Sequence, residues 1–170
     1  VSGLDRSVFA VAHSGTSLYL GGTFTRIGSI NADRVARWDG TNWAPLGAGV
    51  SGVVFSLAVD DTQVYVGGSF LTAGGQALPY LARWNGTNWF SVGSGVNGIV
   101  RAMAVDGTNL YVGGSFTMAG GLPATNIARW NGSNWLPLGP GLRGDAVDCL
   151  LINGDFLFAG GRFRRAGSVN

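Results

Sequence analysis

Ala82-Arg83-Trp84-Asn85-Gly86-Thr87-Asn88-Trp89 reads as the end of one strand, a tight turn and the start of a second strand running back. Asn-Gly tolerates the positive φ angles that a two-residue hairpin demands. The same string stands 46 residues earlier as Ala36-Arg37-Trp38-Asp39-Gly40-Thr41-Asn42-Trp43, and 46 later as Ala128-Arg129-Trp130-Asn131-Gly132-Ser133-Asn134-Trp135. The pairs Gly21-Gly22, Gly67-Gly68 and Gly113-Gly114 keep that step. Gly160-Gly161 follows at 47, which places one inserted residue around Gly144-Asp145. Each pair is followed by one variable residue and then Phe24, Phe70, Phe116 or Phe163. A period of this size marks a repeat architecture, and nothing in the chain lies outside it.

Each copy divides into four short strands, A to D. Strand A is expected at 8–12, 54–58, 100–104 and 147–151, and strand B at 18–21, 64–67, 110–113 and 156–160. Strand C falls at 35–38, 81–84 and 127–130, and strand D at 43–46, 89–92 and 135–138. The A–B joints are Ser14-Gly15, Asp60-Asp61, Asp106-Gly107 and Asn153-Gly154, and the C–D joints are Asp-Gly or Asn-Gly, so neighbouring strands should be antiparallel. Strand B is apolar at consecutive positions, as in Val64-Tyr65-Val66, so both faces of its sheet need covering. Blades packed face to face around an axis provide that cover. Pro45 and Pro137 in strand D cannot donate to a ladder and belong on an edge, which makes D the outer strand and A the inner one. The expected fold is all-β: a β-propeller, or an open propeller segment, of four-stranded antiparallel blades. A single repeat domain over 1–170 then holds blades at 1–49, 50–95 and 96–141 and a partial blade at 142–170.

Composition agrees. All 11 basic residues are Arg and all 9 acidic residues are Asp, so Lys and Glu, two strong helix formers, are missing. The net charge of +2 without a basic run leaves no electrostatic footprint for nucleic acid. Apolar runs of only a few residues argue against membrane insertion through a helix. The chain starts at Val1 rather than Met and shows no signal peptide, as a processed chain or a fragment would. Cys149, inside an apolar stretch at 147–152, is expected to be a small buried hydrophobe.

Strand B ending in Gly-Gly, an aromatic closing strand C and a Trp a few residues later together resemble the kelch-type repeat of galactose-oxidase-like propellers. The likeness covers three copies and half of a fourth. Phe after the glycines and Ala-Arg-Trp in strand C depart from the usual kelch pattern. That variant more closely resembles repeats of long secreted bacterial proteins and of fungal cortical surface proteins, which implies an extracellular or cell-surface location. Three and a half blades do not close a ring, since propellers have about four or more. Either the chain belongs to a longer protein, or two chains associate and complete a seven-bladed ring.

Candidate chemistries are few. The Gly-Gly pairs open no helix and carry no P-loop Lys, so they are expected to serve a bulge or a close backbone approach. The copper site of galactose oxidase needs several His and Tyr ligands, and His13 is the one histidine here. Most Asp residues fall in turns, and none follows the spacing of a calcium loop. No catalytic residue, metal ligand or cofactor is assigned. Arg37, Arg83 and Arg129 alternate with Ala and Trp along strand C, so they should lie between blades and bond neighbouring carbonyls or stack on an aromatic. Arg143, Arg162, Arg164 and Arg165 break the repeat, as either a solvated surface or an anion or partner contact. Asn85-Gly86-Thr87 and Asn131-Gly132-Ser133 match the N-glycosylation pattern, which Asn-Gly turns also produce by coincidence.

Differences between copies are the better guide to function, because what repeats builds the blade. B–C loops at 28–34, 74–80 and 120–126 differ, and in a four-stranded meander they share one face with the D–A connections. The expected binding residues on that face are Asn31, Asp33, Arg34, Gln76, Tyr80, Thr125 and Asn126. The leading expectation is a non-enzymatic scaffold or binding module for protein interaction, adhesion or assembly. The alternative is a carbohydrate-binding or carbohydrate-active propeller, with a surface glycan as partner.

Overall fold

The computed structural model describes residues 3–60 and 63–167, all of them strand, turn or coil. Copy one contributes β1 (Val8–Ser14), β2 (Ser17–Gly22), β3 (Arg26–Ile27), β4 (Ile30–Asn31), β5 (Val35–Trp38) and β6 (Trp43–Pro45). Copy two contributes β7 (Val54–Val59), β8 (Val64–Gly68), β9 (Thr72–Ala73), β10 (Gln76–Ala77), β11 (Leu81–Trp84) and β12 (Trp89–Phe90). Copy three follows as β13 (Ile99–Asp106), β14 (Asn109–Ser115), β15 (Met118–Ala119), β16 (Leu122–Pro123), β17 (Ile127–Trp130) and β18 (Trp135–Pro137). Copy four is one long hairpin, β19 (Leu142–Asn153) with β20 (Phe156–Ala166).

Each of the first three copies forms a four-stranded antiparallel sheet in chain order: β1-β2-β5-β6, β7-β8-β11-β12 and β13-β14-β17-β18. The proline-bearing strands β6 and β18 lie on edges, where the missing N–H costs no ladder bond. C–D turns close on Asx geometry, with the side-chain oxygens of Asp39, Asn85 and Asn131 each accepting two backbone N–H groups. Asp61 of the second A–B joint lies outside the described residues.

The two glycines of each pair do different work. The second faces backbone: a Cβ on Gly22, Gly68 or Gly114 would strike the carbonyl oxygen of Ser7, Val53 or Ile99. Those carbonyls are swung inward at a bulge in strand A, where the register shifts between Val8/Ala10, Val54/Ser56 and Val100/Ala102. The first glycine faces the next sheet: a Cβ on Gly21, Gly67 or Gly113 would strike Val54, Val100 or Val147. The close backbone approach is at the second glycine, opposite a bulge that lies in strand A, and the first glycine meets side chains instead.

Alternation along the strands gives every sheet a front, toward the preceding copy, and a back, toward the next. On copy one the back carries Ala10, Ala12, Tyr19, Gly21 and Arg37, and the front carries Val8, Val11, Leu18, Leu20, Ala36 and Trp38. Front and back meet in mixed cores, such as Ala10, Val35 and Leu46 against Val54, Leu57, Val64 and Val66. Between sheets, the indole N–H of Trp89 donates to the Leu46 carbonyl at 3.0 Å, and that of Trp135 donates to Val92 at 2.9 Å. The strand-C arginines do face the next copy, but Arg37 and Arg83 bond within their own sheet, and the buried Arg129 Nε has no hydrogen-bond partner among the described residues. Arg37 donates to Ser17, and Arg83 donates to Gln63 and the Ser91 carbonyl and lies over the Phe90 ring.

Two expectations need correction. The B–C loops are small two-stranded ribbons, β3-β4, β9-β10 and β15-β16, each turning on a glycine. Cys149 is exposed: it sits on the back of copy four, and among the described residues no sheet packs on that face.

Candidate functional site

The ribbons gather on one end of the sheets together with the D–A connections. Val50 bridges to Ala73 and Val96 to Ala119, while Gly74 and Gly120 donate their N–H to the Gly49 and Gly95 carbonyls. The chain leaves each ribbon through a non-glycine residue at positive φ: Arg34 at 67°, Tyr80 at 66° and Asn126 at 63°. This left-handed step returns the chain sharply into strand C. In all three the N–H donates to the carbonyl of Phe24, Phe70 or Phe116, and the carbonyl accepts from the second glycine of the pair. Under each ribbon that phenylalanine is buried.

These bonds divide the seven expected binding residues. Asn126 is 4% exposed and fully engaged: it accepts from the Phe116 N–H and donates to the Leu142 and Gly144 carbonyls. Arg34 donates to the Val50 carbonyl at 2.9 Å, the position equivalent to Leu142, with Asp33 3.9 Å away. Tyr80 packs against the core between copies two and three. Thr125 is half-buried, and its carbonyl accepts from Leu142 N–H. Asn31, Asp33 and Gln76 are exposed on the ribbons.

A second set went unseen in the sequence. Asp5, Ser51 and Asn97 stand 46 residues apart, and each accepts two backbone N–H groups from the strand entering its ribbon. Their shared signal is a small polar acceptor at a fixed step. The Thr25 hydroxyl and the Thr25 and Arg26 amides hold the Asp5 carboxyl down to about 2, against an ordinary 3.8. A carboxylate depressed on folding contributes stability above its ordinary value and loses it as pH falls toward the folded value. The thermal midpoint should therefore fall between pH 4 and pH 2 more steeply for the wild type than for Asp5→Asn. Equal slopes in the two melting series would remove Asp5 from the ribbon's support.

The bulge residues form another column. Phe9, Phe55, Arg101 and Asp148 occupy equivalent places. The Phe9 and Phe55 rings are 6.1 Å apart, Arg101 lies 5.7 Å from the Phe55 ring, and Arg101 pairs with Asp148 at 3.7 Å. Asp148 also accepts from Arg162, which raises the Arg162 pKa. A change from aromatic to cation to anion at one strand-A position was readable in the sequence, yet it marks a place that strand periodicity alone does not single out.

The back of copy one and the front of copy two enclose a cleft of about 250 Å³, lined by Ser17, Tyr19, Arg37, Gln63 and Trp84 among others. Among the described residues, no three His, Cys, Asp or Glu side chains come together. His13 is exposed on β1.

No family model and no curated protein matches the chain. Solved structures do. The computationally designed Ika8 protein superposes with a TM-score of 0.60 at 18% identity over 92% of this chain, and the computationally designed Ika4 protein with 0.62 at 17% over 94%. The chain spans 43% of Ika8 and 88% of Ika4. At these identities the likeness concerns the fold.

Proposed function

We propose that the chain is a run of kelch-like propeller blades serving as a non-enzymatic binding module of a secreted or cell-surface protein, with its ribbon end as the contact surface. One observation carries the reading: a backbone held by the same bonds in every copy presents different exposed side chains at its ribbon end. Asn31 and Asp33 stand there in copy one, Leu71 and Gln76 in copy two, and Met118 and Leu122 in copy three. A rigid scaffold with variable tips suits recognition of a protein surface. Arg34, Tyr80 and Asn126 act as supports beneath these tips.

The test is a partner screen with the wild-type chain, repeated with the combined variant Asn31→Ala, Asp33→Ala, Gln76→Ala. The expected result is at least a tenfold loss of affinity at unchanged melting temperature. Unchanged affinity for every partner recovered would sink the ribbon end as the contact surface.

The cleft beside Tyr19 and Trp84 favours a second reading, carbohydrate binding, since aromatic rings and polar side chains meet there. Oligosaccharide titration of Tyr19→Ala beside the wild type separates the two: a loss of binding in that variant supports the cleft, and unchanged binding removes it.

A further inference from the structure

We propose that the cleft between copies one and two binds a sugar carrying an acetamido group, with its amide carbonyl held by Arg37 and Tyr19. The proposal rests on the carbohydrate reading of that cleft and names the ligand class. Copy two carries the argument, because there the protein fills the equivalent place with its own side chains. Arg83 Nη1 donates to the Gln63 amide oxygen, and the Tyr65 hydroxyl donates to Asp60. Tyr65 is only 6% exposed.

In copy one serines replace both acceptors. Ser14 stands for Asp60 and Ser17 for Gln63, while the tyrosine and the arginine are kept as Tyr19 and Arg37. The Ser17 hydroxyl accepts from Arg37 Nε at 3.0 Å. Among the described residues nothing accepts from the Arg37 Nη groups or from the Tyr19 hydroxyl. Tyr19 is half-buried rather than buried, and all four side chains line the cleft. Two sets of donors therefore border a space that copy two closes with an amide and a carboxylate.

Charge decides which of those two acceptors a ligand should bring. Asp60 lines the same cleft from copy two. Asp39 lies near Arg37: its carboxyl is held low by the Asn42 and Thr41 amides and lowered further by the guanidinium. Two carboxylates already accompany the one cation, so a third is repelled and an uncharged carbonyl is favoured. An acetamido oxygen is the chemical counterpart of the Gln63 amide oxygen. The rest of the cleft suits a sugar ring. Trp84 supplies aromatic surface for its C–H groups, and Ser14, Asp60 and Asn85 supply partners for its hydroxyls. At about 250 Å³ the cleft is smaller than a drug-sized site of roughly 300–1,000 Å³, so it suits one ring.

Calorimetric titration of the 170-residue chain with N-acetylglucosamine, glucose and glucuronate is the experiment. N-acetylglucosamine should bind about tenfold more tightly than either of the others, the worth of one hydrogen bond to a charged donor. Ser17→Gln should abolish that binding without lowering the melting temperature, because the new side chain takes the seat that Gln63 takes beside Arg83. Tyr19→Phe keeps the ring and loses the donor, so it should weaken N-acetylglucosamine and leave glucose unchanged. If glucose binds as tightly as N-acetylglucosamine and Tyr19→Ala loses both, the carbohydrate reading stands and the acetamido assignment falls. Tighter binding of glucuronate, or full binding by a folded Ser17→Gln, overturns the proposal as well. A wild-type chain that binds none of the three overturns both readings of the cleft.

Discussion

Gly68→Ala should lower the unfolding free energy by at least about 4 kcal/mol, most of the stability of a domain at the low end of the usual range of about 5–15 kcal/mol. The added methyl points at the Val53 carbonyl oxygen. That oxygen cannot retreat, because it accepts the Ser69 N–H at 2.9 Å and is fixed by the bulge between Val54 and Ser56. No rotamer relieves a clash between two backbones. Gly67→Ala is the informative neighbour: its methyl meets the side chains of Val100 and Met103, which can shift, so a cost of about 1–3 kcal/mol is expected. Gly160→Ala, with only Cys149 Sγ nearby, should stay within about 1 kcal/mol of the wild type. Urea denaturation of the three variants orders them. A Gly68→Ala midpoint as high as that of Gly160→Ala would show that the strand-A bulge yields.

That ordering also shows where the sequence was readable. The Gly-Gly pair announced that something approaches strand B closely, and the 46-residue step announced that it does so in every copy. Which glycine meets backbone and which meets the next sheet depends on the strand-A bulge. Its residue is apolar in copies one and two (Phe9, Phe55) and stands out only as Arg101 and Asp148 in copies three and four. The Asp-Gly and Asn-Gly turns and the edge prolines were legible because each acts locally, through φ or a missing N–H. The ribbons were not, since strands of two residues are too short to alternate. Their supports escaped for a related reason. Arg34, Tyr80 and Asn126 share a backbone conformation and a set of main-chain bonds, but not a residue type, so variation there reads as recognition. Cys149 was misplaced because an apolar run reads as interior, whereas on the back of copy four no sheet of the described residues packs against it.

The joints between sheets also set the second large effect. Trp135→Ala should cost about 3–5 kcal/mol, the range for emptying a buried aromatic site. Trp135 is 5% exposed, packs on Trp130 with ring centroids 5.6 Å apart, and donates across the joint to Val92. Trp135→Phe keeps much of the bulk and loses the indole N–H, a change of about 1 kcal/mol, because the Val92 carbonyl still accepts the Gly95 N–H. Trp43 holds the equivalent position in copy one and touches Trp38 at a similar 5.3 Å, but it is half-buried, and among the described residues no carbonyl of another sheet accepts its indole N–H. Trp43→Ala should therefore cost less than half as much as Trp135→Ala. The comparison separates two sources of stability, packing within one sheet and bonding between sheets. If the two alanine variants melt together, the indole bonds between copies contribute nothing, and the sheets are held to one another by their apolar faces alone.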